Sequence, residues 1–254
     1  MTKQNVQQII DWIKEYFNKN SFAKGVVLGM SGGKDSLVVA KLCTLALGKE
    51  KVFGVIMPNG KMKDINDAIV TCQLLGIDYD IVDIESSYND IITKTKEILE
   101  KRGKTLTDVS TINTAPRLRM TTLYAVAGSM GYLVANTSNL SERMVGYSTK
   151  WGDSVGDFAP IANFTKNEVC EIGLLLGLPV NLVTKTPSDG LSGKSDEDKL
   201  GITYDSLDNI IRTGTKNNDY EKILRMYKNS THKRGSIPAP SSNMNNFLEE
   251  LTRE

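Results

Sequence analysis

Gly29-Met30-Ser31-Gly32-Gly33-Lys34-Asp35-Ser36 follows a short apolar run and opens a helical pattern, the position at which a strand-to-helix turn binds an anion. The paired glycines let backbone N–H groups close around a phosphate, the helix behind adds the positive end of its dipole, and the Ser31 and Ser36 hydroxyls add donors. This is not a Walker A loop, which needs Gly where Leu28 stands and Ser or Thr where Asp35 stands, nor is it G-x-G-x-x-G. A carboxylate within such a loop repels phosphate unless a divalent cation lies between them, so Asp35 reads as a magnesium ligand. The plainer reading, an acidic first-turn residue at a helix start, has the full six-residue motif against it. Other chemistries find little material. Cys43, Cys72 and Cys170 form no C-x-x-C pair and read as reduced packing residues, and a Ser-His-Asp hydrolase or His-rich metal site would rest on His232 alone.

The elements around this loop follow from hydrophobic periodicity. Val6, Ile9, Ile10, Ile13 and Phe17 recur at helical spacing in the first twenty residues. Gly25 to Met30, Val52 to Met57, Tyr79 to Ile84 and Tyr132 to Thr137 read as strands. Ser36 to Leu47, Asp64 to Leu75, Ser86 to Leu99 and Asn113 to Ser129 read as the helices between them. Such alternation predicts an α/β fold, a doubly wound parallel sheet with helices on both faces. Ser138 to Phe164 loses apolar periodicity and is expected to be a long functional or disordered loop. A helix is expected at Thr165 to Leu176 and a second loop at Lys185 to Asp198. Short helices at Tyr204 to Ile211 and Tyr220 to Tyr227 lead to a basic turn, Thr231 to Arg234.

The 254 residues, 40% hydrophobic and 24% charged, suffice to bury a sizeable core, and no stretch approaches the ~20 apolar residues of a membrane helix. Lys and Arg number 31 against 30 Asp and Glu, a formal charge of +1, so no overall basic field draws nucleic acid. The polar start, Met1 to Ile10, has no apolar core of a secretion signal, and a cytoplasmic address is expected.

Ser-Gly-Gly-x-Asp-Ser after the first strand resembles the signature of the ATP pyrophosphatase (PP-loop, or N-type) superfamily, with its adenine nucleotide alpha hydrolase-like fold. Further residues narrow the resemblance: Asn113-x-x-x-Arg117-x-Arg119, Asn136-Thr137, Ser141-Glu142, Gly146 to Asp153, Asp157 to Ile161, Thr165-Lys166, Pro187 to Leu191, Ser195 to Gly201 and His232-Lys233-Arg234. In this order they resemble ammonia-dependent NAD synthetases over almost the whole chain. The resemblance implies a ligase that amidates deamido-NAD with ammonia through an acyl adenylate, giving NAD, AMP and pyrophosphate. It implies that Gly29, Met30, Ser31, Gly32, Gly33, Lys34, Asp35 and Ser36 bind the phosphates of ATP, with Thr137, Lys166 and Ser188 completing that site. It further implies that Asp35 and Glu142 hold Mg2+, and that Arg117, Lys150, Asp157, His232 and Lys233 contact the dinucleotide. Asp153 or Asp157 is expected to orient ammonia or take its proton, with no choice between them at this stage. One domain over 1–254 is expected, with mobile loops near 138–164 and 185–200, a basic C-terminal tail and a homodimeric assembly.

Two features depart from the resemblance. Ser188 stands where the family commonly has Thr, which keeps the hydroxyl, and Asn59 to Asp67 lacks the usual residues, so no adenine contact is assigned there. The synthetase pattern nearly fills the chain, leaving nitrogen to come from ammonia or a separate partner. Two other classes fit these residues less well. A PP-loop enzyme acting on tRNA calls for a basic surface or an appended RNA domain and, for sulfur transfer, paired cysteines. A non-catalytic nucleotide binder, such as an electron-transfer flavoprotein subunit, has no need of Glu142, Lys150 and Lys166 in long loops.

Overall fold

The computed structural model describes residues 1–62, 65–185 and 195–239. Helix α1 (Lys3–Lys19) starts at Thr2, whose hydroxyl accepts the Asn5 N–H while the Asn5 side chain accepts the Thr2 N–H; Val6, Ile9, Ile10, Ile13 and Phe17 form its buried stripe. There follow β1 (Val26–Gly29), α2 (Lys34–Leu47), β2 (Val52–Ile56), α3 (Ile65–Leu75), β3 (Asp78–Ile81), α4 (Glu85–Glu100), α5 (Asp108–Met130) and β4 (Leu133–Val134).

The four strands form one parallel sheet in the order β3-β2-β1-β4. Alternation along β1 divides the core between its faces. Val26 and Leu28 pack with Ile13, Val38 and Ile172, whereas Val27 packs with Val55, Ala127 and Val134 under α5. Each such side chain contributes about 1.5–3 kcal/mol by burial. Helices therefore cover both faces, as the alternating pattern predicts. The strand order reverses between β1 and β4, and in doubly wound sheets the crevice beyond the strand ends at that reversal takes the ligand.

The second half adds α6 (Leu140–Val145), α7 (Lys166–Leu175), α8 (Val180–Val183), α9 (Asp196–Leu200), α10 (Tyr204–Thr213) and α11 (Tyr220–Asn229). Val145, Leu200, Leu207, Ile210 and Ile223 bind α6, α9, α10 and α11 into a satellite core. Among the described residues no helix is long and apolar enough to cross a membrane.

Several elements differ from the sequence expectation for identifiable reasons. Helix α5 begins five residues before Asn113, at Asp108, because Thr107 caps it by accepting the Ser110 N–H and Pro116 is carried inside the helix. β4 ends at Val134, and a later segment pairs beside the chain there: the Asp157 N–H donates to Val134 O, the Asn136 N–H to Phe158 O, and Ala135 bridges Phe158 while still donating to Val27 O. The stretch 138–164, expected to be a loop, contains α6. An Asn139/Glu142 capping box starts that helix and Gly146, at φ 68°, ends it. The Lys185 to Asp198 loop likewise ends early, since α9 begins at Asp196 under a Ser195 cap; residues 186–194 lie outside the described ones.

Candidate active site

The phosphate-type loop lies at the carboxyl end of β1, beside the reversal point. Gly32 turns the chain with φ 78°, a left-handed conformation that suits glycine, and Gly33 is the N-cap of α2. Ser31 Oγ accepts the Gly33 N–H at 3.2 Å and the Ser36 hydroxyl donates to Gly33 O at 3.0 Å, so both hydroxyls brace the turn.

Asp35 and Glu142 have the character of a cation site. One Asp35 oxygen, Oδ1, is buried without a hydrogen-bond partner, and burial raises this carboxyl's proton affinity while the Lys166 and Lys34 ammoniums oppose the rise. Glu142 is pushed up to about 7, first by burial and then by the Asp35 charge. Two buried carboxylates that penalise each other's ionisation, one with an orphaned oxygen, fit a hard dication such as magnesium, which takes one or two carboxylates and completes its shell with water and phosphate. Among the described residues no group of three or more His, Cys, Asp and Glu forms a closed metal cage.

Lys166, the first residue of α7, is 2% exposed. Its ammonium lies 3.3 Å from both Glu142 Oε1 and Asp196 Oδ2 and 3.9 Å from the Tyr204 ring centre. Burial works against its charge, but Glu142, Asp35 and Asp196 together hold its pKa above the usual lysine value. Its backbone is fixed too: the Lys166 N–H donates to Ser141 Oγ, which donates in turn to buried Asp208, and Asp208 also accepts the Asn167 N–H. Asp196 takes a further bond from the Tyr147 hydroxyl at 3.0 Å. The motifs place Glu142 and Lys166 here. Asp196, Tyr204 and Asp208 arrive from α9 and α10, and only tertiary packing shows what they face.

Two cavities share Asn136 and Val155 in their walls. One of about 380 Å³ lies in the crevice, lined by Gly29 to Ser31, Met57, Arg119, Thr137 and Asp153 among others. The second, about 290 Å³, is lined by Arg143, Lys150, Trp151, Lys233 and Arg234. Thr137 thus lies with the loop, as expected from a strand end. Asp153 and Asp157, equivalent in sequence, have different settings: Asp153 is on the crevice wall with its carboxyl raised by burial, whereas Asp157 spends both oxygens, on the Val134 N–H and the Tyr124 hydroxyl.

Lys150 and Lys233 share the second cavity, where the Lys233 ammonium donates to Gly146 O and Ser148 O at 2.7 and 2.6 Å. His232 is exposed on the adjoining turn. Arg117 donates to Lys150 O at 3.2 Å and lines neither cavity; its neighbour Arg119, two residues on, bonds Met57 O and lines the crevice. Ser188 lies outside the described residues.

The chain is similar to known proteins over most of its length. The NAD synthase family model matches residues 5–237, and the chain belongs to that family. An NH(3)-dependent NAD(+) synthetase of Thermococcus sibiricus is 40% identical over 251 residues, covering 98% of this chain and 91% of that protein. Among solved structures, an NMN synthetase from Francisella tularensis aligns with a TM-score of 0.85 at 32% identity, over 94% of this chain and 98% of that one. An NH3-dependent NAD synthetase from Campylobacter jejuni aligns at 0.74 and 31% identity, over 95% and 100%.

Proposed function

We propose that this chain joins ammonia to the nicotinate carboxylate of deamido-NAD in a reaction coupled to ATP cleavage, releasing NAD, AMP and pyrophosphate. The observation that carries the reading is the buried Lys166–Glu142 pair within electrostatic reach of Asp35, at the crevice end of the sheet of an NAD synthase family chain. Gly29 to Ser36 receive the phosphates, completed by Thr137, Lys166 and Ser188. Arg117, Lys150, Asp157, His232 and Lys233 bind the dinucleotide.

A nicotinate carboxylate oxygen attacks the α-phosphorus in line, and the bond to the bridging oxygen breaks with its electron pair passing to pyrophosphate. The carboxylate is already ionised, so this step needs no base. Asp35 and Glu142 would hold magnesium, which when bound would supply charge neutralisation for the departing phosphates. Lys166 supplies a second positive charge from a fixed position, and preorganised charge provides most of the catalysis in phosphoryl-type transfer. Ammonia then adds to the acyl carbon, AMP leaves, and the surplus proton is lost. Asp153 is the residue for that proton: it lines the crevice and burial raises its proton affinity against the bond that one of its oxygens accepts from the Thr149 N–H, while both Asp157 oxygens are engaged.

We take residues 1–254 as one cytoplasmic catalytic unit working as a homodimer. Support for the dimer comes from α4, which buries no residue, and from apolar side chains left exposed on α4 and α5, including Ile91, Ile98, Val109 and Ile112.

The test is turnover with deamido-NAD or, in a parallel arm, nicotinate mononucleotide, each with ATP, magnesium and ammonium. Deamido-NAD should give NAD and AMP in equal amounts at the higher kcat/KM. Preference for the mononucleotide would overturn the dinucleotide assignment, and ADP in place of AMP would overturn the mechanism.

A further inference from the structure

Helix α10 turns one face on the first turn of α7. Asp205, Asp208 and Arg212 stand at i, i+3 and i+7, a spacing that puts them on one side of a helix. Asp205 accepts from Asn167 Nδ2 at 2.8 Å, Asp208 Oδ2 accepts the Asn167 N–H at 2.9 Å, and Arg212 pairs with Glu168. The first N–H groups of a helix have no partner within it. In α7 the Lys166 N–H is met by Ser141 Oγ, the Asn167 N–H by Asp208 and the Glu168 N–H by Thr165 Oγ1. Only the last of these acceptors is the helix's own cap.

Asp208 differs from its neighbours on that face. It is buried, whereas Asp205 and Arg212 are exposed. Its second oxygen, Oδ1, accepts the hydroxyl of fully buried Ser141. One carboxylate thus grips the residue before Glu142 on α6 and the residue after Lys166 on α7. An ionised carboxylate only accepts, which leaves the Ser141 oxygen free to take the Lys166 N–H. The Asp208 charge is met by these two donors, by the positive end of α7 and by the nearby Arg212 guanidinium.

Holding α10 in place does not require this carboxylate. Leu207 and Ile210 bury the helix in the satellite core with Val145 of α6, and Asp205 and Arg212 tie it to α7. A buried charge adds less stability than an apolar side chain of similar volume, and where it serves, it serves to fix one geometry. The geometry at stake is that of Lys166 Nζ and Glu142 Oε1, 3.3 Å apart on the two segments that Asp208 joins. We propose that Asp208 is a positioning residue: by holding Ser141 and the Asn167 N–H together it sets the Lys166 ammonium against the Glu142 carboxylate, without touching substrate. The inference rests on the proposed reaction.

The test is steady-state turnover of deamido-NAD, with saturating ATP, magnesium and ammonium, by the wild-type chain, Asp208→Asn, Ser141→Ala and Arg212→Ala, each checked for folding by circular dichroism. Asp208→Asn keeps the size but puts an amide NH₂ where one acceptor stood, so the Ser141 hydroxyl or the Asn167 N–H meets a donor. Its kcat should fall about tenfold or more, the scale for a lost support of a reacting group. Its KM for deamido-NAD should hold within about twofold, because an interaction felt only in the transition state lowers kcat alone. Ser141→Ala should show the same split. Arg212→Ala loosens the same turn from the same face, yet should keep kcat within about twofold of wild type, as expected of a partly exposed pair.

Wild-type kcat in folded Asp208→Asn, a raised KM with unchanged kcat, or an equal loss of kcat in Arg212→Ala would overturn the assignment. If Asp208→Asn does not fold, Ser141→Ala decides the matter, and wild-type kcat there would overturn it. Normal wild-type turnover alongside any of these results would confine the failure to Asp208. Failure of the wild type to turn over deamido-NAD would remove the proposed function and this inference together.

Discussion

Lys166 shows how a reactive charge is made cheap to bury. Its ammonium sits between Glu142 and Asp196 over the Tyr204 face, so the desolvation that would otherwise neutralise it is offset by two carboxylates and an aromatic quadrupole. Asp35→Asn and Glu142→Gln are expected to abolish magnesium-dependent turnover in folded protein, since each removes one of the two carboxylates that fit the dication. Turnover against magnesium concentration, with circular dichroism as the folding check, measures this; near-normal rates in both variants would contradict the metal assignment. At this scale the sequence was legible where residue type and motif coincide, as at Asp35, Glu142 and Lys166. It was silent on Asp196 and Tyr204, whose contribution is where α9 and α10 bring them. The hydrogen bonds that set Asp157 apart from Asp153 likewise could not be read from the sequence.

Elements of the second half are tied to one another through side chains. Arg212 on α10 pairs with Glu168 on α7 and also donates to Asn163 O. Burial alone would push the Glu168 carboxyl up, but the Arg212 and Thr165 bonds pull it below the usual carboxylate value. A depressed folded-state pKa means that this stabilisation is present above the unfolded value of about 4.3 and is lost as pH falls through the folded value. Arg212→Ala should therefore lower stability at pH 7 by about 1 kcal/mol or less, the range for a partly exposed pair. That difference from wild type should shrink below pH ~4. Urea unfolding at both pH values measures it, and an equal difference at both would contradict the pairing.

Lys233 pins the turn after α6 through Gly146 O and Ser148 O. Lys233→Ala is expected to raise the KM for deamido-NAD several-fold, on the order of one lost charged hydrogen bond. Steady-state kinetics checks this; unchanged KM and kcat would make the tail mere surface. Helix and strand order in the first half was readable from periodicity. Helix α6 was obscured by its glycine-rich setting, although Asn139 and Glu142 carry the capping spacing. β4 was overestimated because its apolar run continues past Val134, where the ladder with β1 ends and only an isolated bridge to Phe158 follows.

The whole molecule brings the loop after β1, the Asp35 and Glu142 carboxylates and the crevice beyond β1 and β4 together at the carboxyl end of the sheet. Cys43 and Cys72 are buried, and burial pushes their thiols up to about 12 and about 11, so neither is a ready nucleophile for glutamine. Ammonium is expected to support NAD formation and glutamine is not, and the apparent KM for total ammonium should fall as pH rises from about 7 toward 9, because only neutral NH₃ is nucleophilic. Initial rates across that range check both; efficient glutamine use by the purified chain would contradict them. The fold class was legible because β and α patterns alternate. The depth of the crevice was not, since it depends on how the 138–164 segment folds back on β4.

The central claim is that the nicotinate carboxylate itself attacks the α-phosphorus of ATP, and carboxylate oxygen labelling tests it most directly. Deamido-NAD carrying ¹⁸O in both carboxylate positions is turned over with ATP, magnesium and ammonium, and the products are read by mass spectrometry. The account predicts one ¹⁸O in the phosphate of AMP for each NAD formed, with the other retained in the amide. AMP free of label alongside NAD formation would contradict it.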